Sequence, residues 1–168
     1  PKDVKGRTLI NIDSEEEGKL LVSCAGGLTA KATFPLTIET ADAKMIPYLI
    51  KVRGLKGGHS GMEIDKGRGN ANKLMGRILR TLLVNTEFRL SSLSGGSKHN
   101  AIPRVADAII LVNSDQKAMV EEKIAECEKR FQSELRTPDP DLKLELEELT
   151  KCPAEMLSKK DTHHIVNY

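Results

Sequence analysis

SDQKAMVEEKIAECEKRFQSEL, residues 114–135, is the stretch whose reading decides the fold. Its Val120, Ile124, Cys127, Phe131 and Leu135 recur at i, i+4, i+7, i+11 and i+15, which is one apolar stripe along an α-helix. Ser114 or Asp115 stands where a helix cap belongs, and Pro138 and Pro140 end the pattern. Just upstream, residues 105–112 form an apolar β-type run. Just downstream, Leu142, Leu144 and Leu146 alternate with Lys143, Glu145 and Glu147, as a half-buried strand does. Further upstream, residues 88–93 read as a strand joined to 105–112 through a loop containing Gly95 and Gly96. Before it comes a helix capped by Asn70, with Ala71, Leu74, Met75, Ile78 and Leu82 on one face. Residues 48–53 complete the pattern as a strand, with Tyr48, Ile50 and Val52 on one face and Lys51 and Arg53 on the other. The order is β-α-β-β-α-β, so the expected class is α+β: a ferredoxin-like two-layer sandwich of four strands with two helices on one face.

Three sections follow from this reading. Residues 45–150 are the ferredoxin-like domain. Residues 1–44 carry short β-type runs at 8–12, 19–24 and 29–38, an N-terminal β extension too small to enclose a core. Residues 151–168 suit a helical tail that stops without a C-cap signal, so the chain reads as a piece of a longer polypeptide. Among the 168 residues, 26 Lys+Arg stand against 24 Asp+Glu with the signs interleaved, which excludes the basic footprint of a nucleic-acid binder. No apolar run approaches the ~20 residues that cross a bilayer, so no membrane partner is expected. Cys24, Cys127 and Cys152 are odd in number and form no C-x-x-C pair, as expected of reduced thiols in a cytoplasmic protein.

Topology gathers one set of candidate residues. In a split βαβ unit the first and second strands run parallel, so the end of the first and the hairpin after the second lie at one end of the sheet. The first runs into GGHSG at 57–61, and the hairpin carries GGSKHNAIPR at 95–104. His59, Asn100 and Arg104 are therefore expected on one edge. A guanidinium offers a fork for a carboxylate, while imidazole and amide N–H groups can donate to a developing oxyanion. The plainer reading is a glycine-rich loop end with a solvated His and Arg. A second candidate is Asp13, in NIDSEEEG at 11–18, a carboxylate just after an apolar run. It can serve as a metal ligand or simply belong to an acidic turn. The glycines of residues 54–69 fit no phosphate-binding motif, and the adjacent His163 and His164 read as solvated.

Three blocks in order resemble bacterial aminoacyl-histidine dipeptidases: NIDSEEEG with SCAGG at 11–27, GLKGGHSG leading to GRGNANKL at 54–74, and SGGS with NAIPR at 94–104. The enzymes of this family are cytosolic two-zinc metallopeptidases in which a lid domain is inserted into the catalytic domain. The resemblance implies that Asp13 ligates one zinc, that His59 is the lid histidine stabilising the oxyanion, and that Asn100 and Arg104 bind the dipeptide substrate. It also implies a homodimer. The family's H-x-D segment, paired glutamates and C-terminal histidine ligand have no counterpart here. The chain thus corresponds to the lid with a short part of the catalytic domain, and by itself it is expected neither to bind the two Zn2+ ions nor to hydrolyse dipeptides.

Two other functions share this topology. An RNA-binding module needs exposed aromatics on its central strands; residues 105–112 have none, and 48–53 have only Tyr48. The other is a non-catalytic small-ligand-binding or oligomerisation module, which fold alone does not separate from a lid. Self-association is expected in either case, because Leu49, Ile109 and Leu111 fall on the sheet face away from the helices.

Overall fold

The computed structural model describes residues 5–8, 10, 12, 17–23 and 28–168. They fall into two compact units, Pro1–Phe34 and Pro35–Tyr168. In the first unit every described residue is exposed and none lies in a helix or strand. The expected β extension is thereby corrected: among the described residues of its three runs, only the end of the last is in a strand. Side-chain alternation makes a strand only where a partner ladder satisfies its main chain.

The second unit is built from β1 (Ile38–Thr40), β2 (Ile46–Arg53), β3 (Gly58–His59), α1 (Ala71–Asn85), β4 (Phe88–Gly95), β5 (Ala101–Ile102), β6 (Ala106–Val112), α2 (Lys117–Glu134), β7 (Lys143–Glu148), β8 (Glu155–Leu157) and α3 (Lys159–Asn167). The main sheet has the order β4-β6-β2-β7 with every neighbouring pair antiparallel. Together with α1 and α2 this is the ferredoxin-like arrangement that the sequence predicts. The apolar stripes meet as expected. Tyr48, Ile50 and Val52 of β2 and Ala108, Ile110 and Val112 of β6 are buried in one core with Leu74, Met75, Ile78 and Leu82 of α1 and Val120, Ile124, Cys127 and Phe131 of α2.

Three local differences have clear causes. Asn70 caps α1 by accepting the Lys73 N–H at 3.2 Å, as its position requires, but neither Ser114 nor Asp115 caps α2. Residues 114–116 instead form a 3₁₀ turn leading into the helix. The compact unit begins at Pro35, not at 45, because β1 pairs with β8 across the whole length of the domain sequence. The tail is integral to the fold. Ser158 caps α3 through the Asp161 N–H, and the Asp161 carboxylate accepts both the Ser158 hydroxyl and the Thr37 N–H at 2.8 Å. On α3, Thr162 is fully buried and its hydroxyl accepts the Leu90 N–H of edge strand β4 at 3.1 Å. The helical layer therefore has three members.

The sheet's other face also departs from expectation. Leu49 and Ile109 are half-buried, but Leu111 has no exposed surface. Leu111 lies opposite Arg89, whose guanidinium turns to the Leu157 carbonyl and to Glu39 of the β1–β8 ribbon, which closes that end of the face. Lys51–Glu147 and Arg53–Asp107 ion pairs occupy much of the remainder. The apolar surface available for association is correspondingly smaller than the sequence implies.

Thr162→Val keeps the shape of the side chain while leaving the Leu90 N–H without its acceptor. An unsatisfied buried donor costs about 1–3 kcal/mol, so urea unfolding should show a lower midpoint with an unchanged slope. An unchanged midpoint would show that α3 does not hold the sheet edge.

Candidate functional site

Two connections project from one end of the sheet: residues 54–69 between β2 and α1, and the β4–β6 hairpin that contains β5. They join as a small antiparallel ribbon in which Gly58 faces Ile102 and His59 faces Ala101. The Ser60 N–H extends it, donating to the Asn100 carbonyl at 3.0 Å. Gly57 lies under the hairpin, so close that a Cβ there would come within 3.2 Å of the Arg104 Cβ. At the hairpin's other side, the Pro103 carbonyl accepts the Ala71 N–H at the start of α1 at 2.8 Å. His59, Asn100 and Arg104 are thus brought to one edge, and all three are exposed.

Their side chains do not share one cavity. Arg104, with Gly57, Gly58, Gly95 and Gly96, lines an open cleft of about 670 Å³. His59 and Asn100 lie outside it. The His59 ring instead turns back over its own turn, where Nδ1 accepts the Gly61 N–H at 3.1 Å and the Met62 N–H at 3.2 Å. An imidazole nitrogen that accepts carries no proton, so in the neutral ring the proton is on Nε2, which becomes the free donor. Asp13 falls outside the described residues.

The backbone that carries His59 is anchored by a residue that sequence reasoning missed. Asp139 is fully buried in the turn after α2, where its Oδ1 accepts the Lys56 N–H at 2.7 Å and its Oδ2 accepts the Gly69 N–H at 2.6 Å. Those two amides stand at opposite ends of the His59 loop. The entry to the loop needs Gly54, whose φ of 79° is left-handed and whose missing Cβ would fall on the Asp141 carbonyl. Within the loop, Glu63 accepts the His59 N–H at 2.9 Å and pairs with Lys66 at 2.9 Å and Arg68 at 3.1 Å. These partners, with the Lys66 hydrogen bond foremost and the His59 amide next, hold its carboxyl down at about 2. The sequence does carry a faint trace of this network: an acid four residues after the histidine and an aspartate between two prolines.

Residues 50–139 match the family described as the peptidase dimerisation domain, and the chain belongs to that family. It is 37% identical over 155 residues to the cytosol non-specific dipeptidase of Escherichia coli (strain K12), covering 92% of this chain and 32% of that protein. The crystal structure of aminoacylhistidine dipeptidase from Vibrio alginolyticus superposes with a TM-score of 0.75 at 32% identity, covering 80% of this chain and 27% of that one. Both relatives are dipeptidases, the enzyme class that the three motif blocks resemble. The chain spans about a third of the length of the curated relative it matches.

Two outcomes test the anchoring network. Asp139→Ala strands two main-chain donors, of which the Gly69 N–H is buried, and should cost about 2–4 kcal/mol in urea unfolding; a loss below about 0.5 kcal/mol would remove Asp139 as the anchor. Glu63 has a folded pKa below its unfolded value, so its contribution to stability is complete above the ordinary carboxylate range and disappears as pH falls through about 2. A carboxyl titration followed by NMR should show that midpoint, with the His59 amide signal moving in step. A midpoint in the ordinary carboxylate range would contradict the network.

Proposed function

We propose that the chain is the lid and substrate-clamping part of a cytoplasmic zinc dipeptidase that hydrolyses Xaa-His and related dipeptides and works as a homodimer. The relatives' enzyme class and the cytosolic designation of the E. coli protein support this reading, as does the dimerisation family to which the chain belongs. One observation carries it furthest. His59 is exposed, with Nδ1 occupied by two main-chain donors, so in the neutral ring Nε2 carries the N–H that is left to donate. That is the form a lid histidine needs in order to donate to the oxyanion that develops when a peptide carbonyl is attacked. Arg104, lining the adjoining cleft, offers two N–H groups to the dipeptide carboxylate, and Asn100, exposed on the same edge outside that cleft, offers an amide to the substrate.

Among the described residues, no three His, Cys, Asp or Glu side chains come together to hold a metal ion. The described part of the chain therefore does not itself fit a zinc site. In this reading the catalytic part of the whole enzyme supplies the other ligands for the two Zn2+ ions, and Asp13 contributes one carboxylate. Residues 1–34 belong with that catalytic part, and the compact unit Pro35–Tyr168 with the lid. Without the remaining ligands and a general base, the isolated chain does not turn over substrate.

The experiment is a pair of substitutions in the whole enzyme. His59→Ala should lower kcat by about 10²–10³, with zinc content unchanged and KM little altered, because its hydrogen bond strengthens only as charge develops. Arg104→Ala should chiefly raise KM, because a carboxylate clamp is engaged in the ground state as well. A His59→Ala enzyme whose kcat stays within about twofold of wild type would return His59 to the role of a solvated loop residue.

A further inference from the structure

The turn that carries His59 is held by one acidic residue from both sides. Glu63 Oε2 accepts the His59 N–H at 2.9 Å, and the Glu63 N–H donates to the His59 carbonyl at 3.1 Å. The other carboxylate oxygen meets Arg68 Nη2 at 3.1 Å, and Arg68 Nη1 donates to the Gly57 carbonyl. Two main-chain groups around His59, its own N–H and the Gly57 carbonyl, are thus gripped by a single ion pair, which itself is largely withdrawn from solvent, with side-chain exposures of 29% and 19%. The pair lies directly over Gly58. A Cβ at that position would stand 2.6 Å from Glu63 Oε2 and 2.5 Å from Arg68 Nη1, and its φ of 145° is one that other residues rarely adopt. The amides of Gly61 and Met62, which fix the ring through Nδ1, belong to the same turn that Glu63 closes.

We infer that Glu63, braced by Arg68, is a positioning residue that fixes the His59 imidazole with Nδ1 turned inward and the Nε2–H turned outward. Glu63 does not reach the ring. Its carboxylate acts through the His59 N–H and, by way of Arg68, through the Gly57 carbonyl, and so differs from an ordinary exposed ion pair, which contributes little and organises nothing. The catalytic consequence rests on the lid-histidine reading given above, but the effect on the ring does not.

The test uses Glu63→Ala, with Glu63→Gln as the conservative variant that keeps an acceptor for the His59 N–H. In the 168-residue chain with the ring neutral, amide exchange at Gly61 and Met62 should accelerate by about tenfold or more in Glu63→Ala. The Nδ1 resonance should move toward that of a free imidazole, while protection at the Leu90 amide stays as in wild type. Glu63→Gln should recover most of both signals. In the whole enzyme, kcat of Glu63→Ala should fall by about tenfold, less than on removing the ring, with KM and zinc content preserved.

Unchanged exchange and an unchanged Nδ1 signal in Glu63→Ala would overturn the inference. So would a changed spectrum with full kcat in an enzyme that His59→Ala cripples. If His59→Ala itself leaves kcat intact, the lid-histidine reading fails, and the two NMR signals alone decide whether Glu63 positions the ring.

Discussion

The Asp139 carboxylate is the constraint on which the geometry of the site depends. It is fully buried in a turn on the far side of α2, yet its two oxygens accept main-chain N–H groups from Lys56 and Gly69. A buried carboxylate is tolerable only where donors replace its lost hydration. Here both donors come from the loop that carries His59. One side chain therefore fixes where the loop leaves the sheet and where it enters α1, and everything between those points is built on a closed base. The Leu142 N–H bonds back to the Asp139 carbonyl, so the same turn also sets the start of β7.

On that base the fold adds a ribbon too small to stand by itself. β3 and β5 contribute two residue pairs, and isolated two-stranded pairings of far greater length are already marginal in water. Its persistence is explained by what surrounds it: the Asp139 base below, the Glu63–Arg68 pair over Gly58, and the Pro103 carbonyl tied to the first amide of α1. These links join the loop to both helices and to the hairpin. An exposed histidine can then have a defined orientation, because order is imposed on its main chain while its ring remains open to a ligand.

The fold was legible in the sequence wherever periodicity and burial agree. The α2 stripe, the Tyr48–Ile50–Val52 alternation and the Asn70 cap all appear in the structure as read. Features governed by distant partners were not legible. β1 and β8 are three residues each and lie 119 positions apart at the Ile38–Leu157 pair, so neither carries a periodic signal of its own. The apolar runs before Phe34 carry such a signal with no strand to show for it among the described residues, because a pattern of side chains does not supply hydrogen-bond partners. Leu111 was misjudged for a related reason: alternation gives the face on which a residue lies, not what later packs on that face. At the site, topology was enough to bring His59, Asn100 and Arg104 to one edge. Asp139 escaped notice because a P-D-P sequence reads as a solvated turn, and nothing local reveals that its carboxylate points inward.

The arrangement also divides labour between the two sides of the ribbon. Arg104 lines a cleft that Gly57, Gly58, Gly95 and Gly96 also line, where backbone can approach a ligand closely and where a long, exposed side chain carries the guanidinium. His59 is treated in the opposite way, with its ring locked by Gly61 and Met62 and its peptide groups locked by Glu63. In the lid function proposed above, the difference follows from what each group would have to do. A cation that recognises a carboxylate loses little if it moves by a fraction of an ångström, because its attraction falls slowly with distance. A neutral donor that must meet a charge only as it develops depends on direction, and its value lies in needing no reorganisation when that charge appears. Rigidity is therefore concentrated on the one side chain whose chemistry is directional, and the network that supplies it runs from the surface turn at Glu63 back to the buried carboxylate of Asp139.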